Sequence, residues 1–336
     1  MSLHTTDTAI ADLPDTGELD DPVLRLSAER SLHPDAAVRR LAMIALADAE
    51  DDQALPWLLR GLRDEAPSVR RETAAVLAAW DHAEAVAALC EVLADEDPAV
   101  REAAALSLTE LKSAEAARAV VPWASHPQAF VRASALRALR EVRLPDALSS
   151  ALQALGDHDA LVRREAVGVV AWLKHAQALQ ELATLAQADP DVEVRRAATG
   201  ALGLAADEQH LSQVVPALIA GLRDGQWQVR EEAAGVLGKL GATKAADELV
   251  ASMADEYWQV RVRAARSLGR LRQPHALPAL IEALIHPISN LRKEAAIALG
   301  EVGDPAAVQA LEVTLNDPDP DVRKSAGLAL RKLASG

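Results

Sequence analysis

The chain has 336 residues, a formal net charge of −15, a single cysteine and only 2% aromatic residues. An intramolecular disulfide is impossible, and the acidic balance disfavours nucleic acid, because a duplex-binding surface gains affinity from Lys and Arg that neutralise phosphates. No apolar run approaches the ~18 residues needed to cross a bilayer, and Met1 to Thr5 has neither a basic patch nor an apolar stretch, so we expect no membrane partner, no secretory signal and a cytoplasmic protein.

Residues 1–21 contain Asp7, Asp12, Asp15, Glu18, Asp20 and Asp21 and no Lys or Arg, which reads as a solvated, poorly ordered acidic arm. From Pro22 onward one sentence recurs. A Val-Arg pair, once Leu-Arg, stands at 38, 69, 100, 131, 162, 194, 229, 260, 291 and 322, with steps of 31 residues except for one of 32 and one of 35. A fixed period of this size marks a solenoid. Four residues after each Val comes Ala or Thr (Ala104, Ala135, Ala233), and eight after it Leu or Val (Leu108, Leu139, Leu237), so these side chains share one helical face. A second apolar run precedes each pair, as in Val86 to Leu93 or Leu277 to Leu284. Each repeat therefore reads as two helices joined by a tight turn.

The turn carries its own chemistry. Asp97-Pro98 and Asp319-Pro320 put an N-cap acceptor and a first-turn proline where the second helix should begin, and Asp35, Asp159 and Asp191 hold the same cap position. Five residues before the Val stands Asp64, Asp95, Asp157, Asp189, Asp224, Asp255 or Asp317, replaced by His33, His126 and His286 in three repeats. An acid there and an Arg beside the Val predict charge-assisted bonds between turns. Pro56, Pro122, Pro216 and Pro278 should kink or shorten first helices. The register changes near 175–194 and again near 205–215, where Ala206 to Ser212 reads as an inserted loop.

The Val-Arg-x-x-Ala-Ala-x-x-Leu-Gly wording, with an Asp ahead of it, resembles the HEAT repeats, and most closely the bacterial PBS-lyase HEAT-like subgroup, over about residues 22–334. The resemblance implies an all-α, right-handed α-solenoid of about ten two-helix repeats, a single array over 22–336. It leaves function open, since the family includes scaffolds, chaperone-like lyases and a few enzymes. It also implies that second helices line a concave inner side, with their sixth, ninth and tenth positions facing the groove. Those and neighbouring positions carry Arg137, Arg140, Arg164, Arg196, Lys239, Arg263, Arg266 and Arg270, with Trp172 as an aromatic anchor. Gly168, Gly200, Gly203, Gly235 and Gly238 should leave the groove floor bare. Such a surface suits an acidic peptide or protein segment, although the same arginines could simply solvate a helix face. Trp57, Trp80 and Trp123 fall at helix positions that read as core or inter-repeat packing. Trp227, Tyr257 and Trp258 lie on the turns of adjacent repeats and form either an exposed binding edge or lids over the hairpins.

Catalytic signatures are missing from the sequence. Hydroxylases built on HEAT-like repeats carry His-Glu dipeptides at the start of second helices, and none occurs here. His33, His126 and His286 stand repeats apart and cannot share a metal. Cys90 has no cysteine partner, and no Gly-x-x-x-x-Gly-Lys phosphate loop is present. The expected protein is a monomeric, non-catalytic scaffold or assembly chaperone without metal or cofactor. The alternatives are a lyase-like maturation factor for a bilin- or cofactor-carrying protein, and nucleic-acid binding or repair.

Overall fold

The computed structural model describes residues 13–205 and 207–335, which contain twenty α-helices and no strand. The chain divides into two compact units between Leu173 and Lys174, close to the first register change. The first unit holds α1 (Pro22–Arg30), α2 (Ala36–Asp48), α3 (Leu55–Gly61), α4 (Pro67–Val76), α5 (Ala83–Val92), α6 (Pro98–Leu108), α7 (Ala114–Ala117), α8 (Ala129–Val142), α9 (Leu148–Ala154) and α10 (Ala160–Leu173). The second holds α11 (Leu179–Ala188), α12 (Val192–Ala201), α13 (Glu208–Gly221), α14 (Trp227–Lys239), α15 (Ala246–Ala251), α16 (Trp258–Arg270), α17 (Leu277–Ala283), α18 (Ser289–Val302), α19 (Val308–Thr314) and α20 (Pro320–Ser335). Odd numbers are first helices of a repeat, even numbers second helices.

Within each unit every second helix packs on the next one and on its own first helix, the arrangement of an α-solenoid. The predicted columns are the reason. Val100, Ala104 and Leu108 are buried, as are Val229, Ala233 and Leu237, and the small Ala lets the neighbouring helix come close while each buried Leu contributes about 1.5–3 kcal/mol. Trp57 and Trp80 are buried as expected, whereas Trp123 is half-buried and stacks on His126. The caps form as read: Asp35, Asp97, Asp159, Asp191 and Asp319 each accept a first-turn N–H of the helix they precede.

Proline coincides with a short first helix in three repeats but is not its cause, since α9 and α19 are seven residues long and α15 six without a proline inside. Pro56 and Pro278 open seven-residue helices behind a 3-10 turn, and Pro122 lies in a 3-10 segment after the four-residue α7. Pro216, by contrast, sits inside the continuous fourteen-residue α13. The inserted segment is not the loop we expected. Asp207 caps α13 through the His210 N–H, so Glu208 to Ser212 become its first turns, while Ala206 lies outside the described residues. Of the acidic arm, residues 1–12 also lie outside them. Thr16–Glu18 forms a single 3-10 turn capped by Asp15, and Leu19 is buried, its carbonyl accepting from Arg25.

The acid and arginine columns join successive repeats. In the first unit Arg39, Arg70 and Arg132 make two-pronged contacts with Asp64, Asp95 and Asp157 of the following repeat, each with an Nε to Oδ2 distance of 2.7 Å. Arg195, Arg230 and Arg292 do the same with Asp224, Asp255 and Asp317 in the second unit, again at 2.7 Å. The Nη1 of each arginine meanwhile donates to carbonyls of its own turn, such as Asp64 O for Arg70. Each Asp also accepts the N–H two residues on, for example Ala66 N–H on Asp64 at 2.8 Å. Burial works to raise the Asp64 carboxyl, but Arg39 and the Ala66 N–H outweigh it and hold it below the usual carboxylate range.

Candidate protein-docking face

In the first unit the proposed Arg137 and Arg140 of one second helix and Arg164 of the next come together on a partly exposed face. Arg137 and Arg140 on α8 converge on Glu165 of α10, which is almost fully buried. Arg164 reaches the same carboxylate, so three guanidiniums share one acid at 3.3–3.4 Å. Arg140 also bonds Glu141 at 3.4 Å, so two acids meet three guanidiniums, and the arginine side chains remain 35–40% exposed. Trp172, on the same side of α10, is 38% exposed, and the Arg143 guanidinium lies 4.5 Å from its ring centre. Arg143 is held there by the left-handed backbone (φ 55°) that ends α8. Beside this cluster Thr109, Glu110, Leu111, Lys112, Arg137, Arg140, Glu141 and Val142 line a depression of about 640 Å³.

In the second unit the proposed arginines are paired more evenly. Arg266 makes a two-pronged contact with buried Glu294 at 2.7 and 2.8 Å, Arg263 bonds Glu231 at 3.0 Å, and Arg196 bonds Glu193 at 3.2 Å. Glu294 holds the Arg266 guanidinium above its ordinary value. Lys239 and Arg270 are exposed and make no ion pair among the described residues.

Two expectations about this face need correction. The glycines do not leave a bare floor: Arg140 lies over Gly168, Glu232 over Gly200, Lys239 over Gly203 and Arg263 over Gly235. Gly238 does not face a groove at all. It is buried against α16, where a Cβ would stand 2.2 Å from Ser267 Oγ, so this ninth position serves close helix packing. Glu165, Glu294, Arg143 and the sharing of one acid by three arginines escaped the sequence reading. A signal was there, because both acids stand 28 residues after an arginine of the preceding second helix, Arg137 and Arg266.

At the turn edge of the second unit the Trp227 and Tyr257 rings stack, with centres 5.6 Å apart and planes 16° from parallel. Arg230, already bonded to Asp255, lies 5.6 Å from the Tyr257 ring centre. Tyr257 and Trp258 remain 39% and 36% exposed. Cys90 is fully buried in α5, and burial pushes its thiol up to about 12, which keeps it from acting as a nucleophile at neutral pH. No group of side chains able to hold a metal occurs among the described residues, and no helix there is long and apolar enough to cross a membrane.

Solved structures similar to this chain are helical-repeat proteins. An engineered protein is 22% identical and aligns with a TM-score of 0.54 over 94% of this chain and 100% of its own. YibA of Escherichia coli is 21% identical, with a TM-score of 0.54 over 90% of this chain and 99% of its own. Kap95 in its complex with Nup1 is 16% identical and aligns with a TM-score of 0.65 over 92% of this chain, which spans about half (51%) of Kap95. At these identities the likeness is one of fold. No curated protein matches the chain. The HEAT-repeat profile matches residues 56–140, 118–203, 184–260 and 247–331, and with the repeat geometry above this places the protein in the HEAT-repeat family.

Proposed function

We propose that this protein is a non-catalytic binding scaffold or assembly chaperone, of the bacterial PBS-lyase HEAT-like kind, that takes an acidic protein segment on the exposed face of its second helices. The observation that carries the reading is the cluster at α8 and α10. Arg137, Arg140 and Arg164 share one buried Glu165, Arg140 also meets Glu141, and one positive charge is left over in a chain whose net charge is −15. Trp172 beside them supplies an apolar contact, and Trp and Arg are the residue types that most often dominate interface energetics. Kap95, which shares the fold, is known in complex with a protein, Nup1, which supports a protein as the ligand class. Lys239, Arg263, Arg266, Arg270 and Arg196 form a secondary, more neutralised surface on the other unit, and Trp227, Tyr257 and Trp258 a turn-edge one.

The test is partner capture followed by affinity measurement. Mass spectrometry identifies the captured protein, and calorimetry compares wild type with the Arg137→Gln, Arg140→Gln double variant. Binding should weaken by about tenfold or more while the helical circular dichroism is retained, because Arg164 still covers Glu165. Undiminished affinity in the double variant rejects the site. A salt-dependent shift with duplex DNA, or a visible absorbance band in the purified protein, would replace the reading with nucleic-acid binding or with a cofactor-maturation role.

A further inference from the structure

Two arginines of the inter-repeat column have a histidine at the sequence step where the others have an aspartate. The partner stands 25 residues ahead in Arg39–Asp64, Arg70–Asp95, Arg132–Asp157, Arg230–Asp255 and Arg292–Asp317. The same step from Arg101 leads to His126, and from Arg261 to His286. Arg101 keeps the inner half of the usual arrangement, its Nη1 donating to the carbonyls of Asp95 at 2.8 Å and Glu96 at 3.2 Å. Its Nε and Nη2 meet no carboxylate among the described residues, and the guanidinium rests 5.8 Å from the Phe130 ring centre instead. Arg261 is turned differently: its Nε donates to the Asp255 carbonyl, which leaves only its two Nη groups without a carboxylate among the described residues.

Each histidine imitates the missing aspartate in part. His126 Nδ1 accepts the Gln128 N–H at 3.2 Å, and His286 Nδ1 accepts the Ile288 N–H at 3.1 Å. With Nδ1 an acceptor, the ring proton sits on Nε2, so each imidazole offers a second donor rather than a negative charge. The neighbouring charges are positive as well. Arg132 acts on His126, which also stacks on Trp123, and Arg261 and Arg292 act on His286. The nearby carboxylates make their side-chain bonds elsewhere, Asp95 to Arg70, Asp97 to the cap of α6 and Asp255 to Arg230, and act on Arg101 and Arg261 only through charge.

The geometry points to two oxyanion sites, in which a carboxylate or phosphate bridges the free guanidinium nitrogens of Arg101 and the Nε2–H of His126, and likewise Arg261 and His286. A guanidinium fork matches the oxygen spacing of such a group, and a charge-assisted bond to it is about twice as strong as a neutral one. The bound anion supplies the charge that an Asp supplies at the other junctions, so it stabilises the junction it occupies.

His33 is the internal control. It holds the same place in its repeat and accepts the Asp35 N–H at 3.0 Å, but no repeat arginine precedes it. Sodium phosphate, sulfate and acetate are titrated at pH 7.5 against chloride of equal ionic strength, with imidazole resonances followed by NMR on the full chain. Saturable shifts are expected at His126 and His286 and not at His33, and the arms show whether carboxylate, phosphate or both are taken. Arg101→Gln should weaken the His126 response by about tenfold and leave His286 unchanged. In a variant carrying His126→Asp and His286→Asp, which restores the ordinary ion pair, the ion-free melting temperature should rise and the phosphate-dependent increase should vanish. Equal shifts at His33, an equal response to chloride, or unreduced phosphate stabilisation of the Asp variant would overturn the assignment.

Discussion

Each aspartate of the column serves two arginines with different groups. The Asp64 carboxylate holds Arg39 of the preceding repeat, while its backbone carbonyl accepts from Arg70 of its own. The residue types and their period are plain in the sequence, but the direction of pairing is not, because Asp64 stands near both arginines in repeat terms and only packing decides which atoms meet. Removing the acid leaves a buried guanidinium uncompensated. Asp95→Asn should therefore cost about 3 kcal/mol, read as a lowered midpoint in urea, whereas exposed Glu96→Gln should change little. Two glycines make a sharper comparison. Gly238→Ala drives a methyl into Ser267 and should cost about 1–3 kcal/mol, while Gly225→Ala meets nothing within 4 Å and should be neutral or stabilise by up to about 1 kcal/mol.

Helix ends decide the next level. Asp97 caps α6 through the N–H groups of Ala99 and Val100, but α14, α16 and α18 begin after Gln226, Tyr257 and Ile288, none of which makes a side-chain cap. Three consecutive repeats thus forgo a bond worth about 1 kcal/mol, and two of them place Trp227 and Trp258 at the first helical position. Asp97→Ala should lower stability by about 1 kcal/mol, and Gln226→Asp should raise it by a similar amount, both measured by chemical denaturation with an unchanged denaturant slope. The caps were legible because an Asp before a Pro or an apolar run has a local meaning. The inserted segment at 206–212 was misread as a loop for the opposite reason: whether its polar residues extend a helix depended on Asp207 turning back onto His210.

Across the whole molecule the inter-repeat carboxylates set the response to acid. Asp64, Asp95, Asp157, Asp224, Asp255 and Asp317 are all held below the ordinary value by their arginines. The unfolded chain takes up these protons first, so the stabilisation is full above about pH 5 and is lost as pH falls through the unfolded and then the folded values. His126 and His286 are lowered by burial first and by neighbouring arginines second. Their contribution has the same sign at higher pH, because below about pH 6.5 the unfolded chain binds protons that the folded one resists. Urea midpoints should hold steady from about pH 8 to 7, decline gently below 6.5 and steepen below 5. A His126→Asn, His286→Asn variant should lose the gentle limb and keep the steep one.

The periodic columns of Val, Ala and Leu and the acid-arginine pair determined the two-helix repeat and its core on their own, since a helical face and its period are local properties of a chain. They also marked Arg137, Arg140 and Trp172, whose exposure follows from their place on the second helix. What only the tertiary structure decided is how the charge on that face is spent. Whether an arginine meets one glutamate, as Arg266 does, or shares one with two others, as Arg137 does, depends on which side chains of the next repeat fall opposite it. That register is set by helices packing against each other, and no spacing within one repeat encodes it.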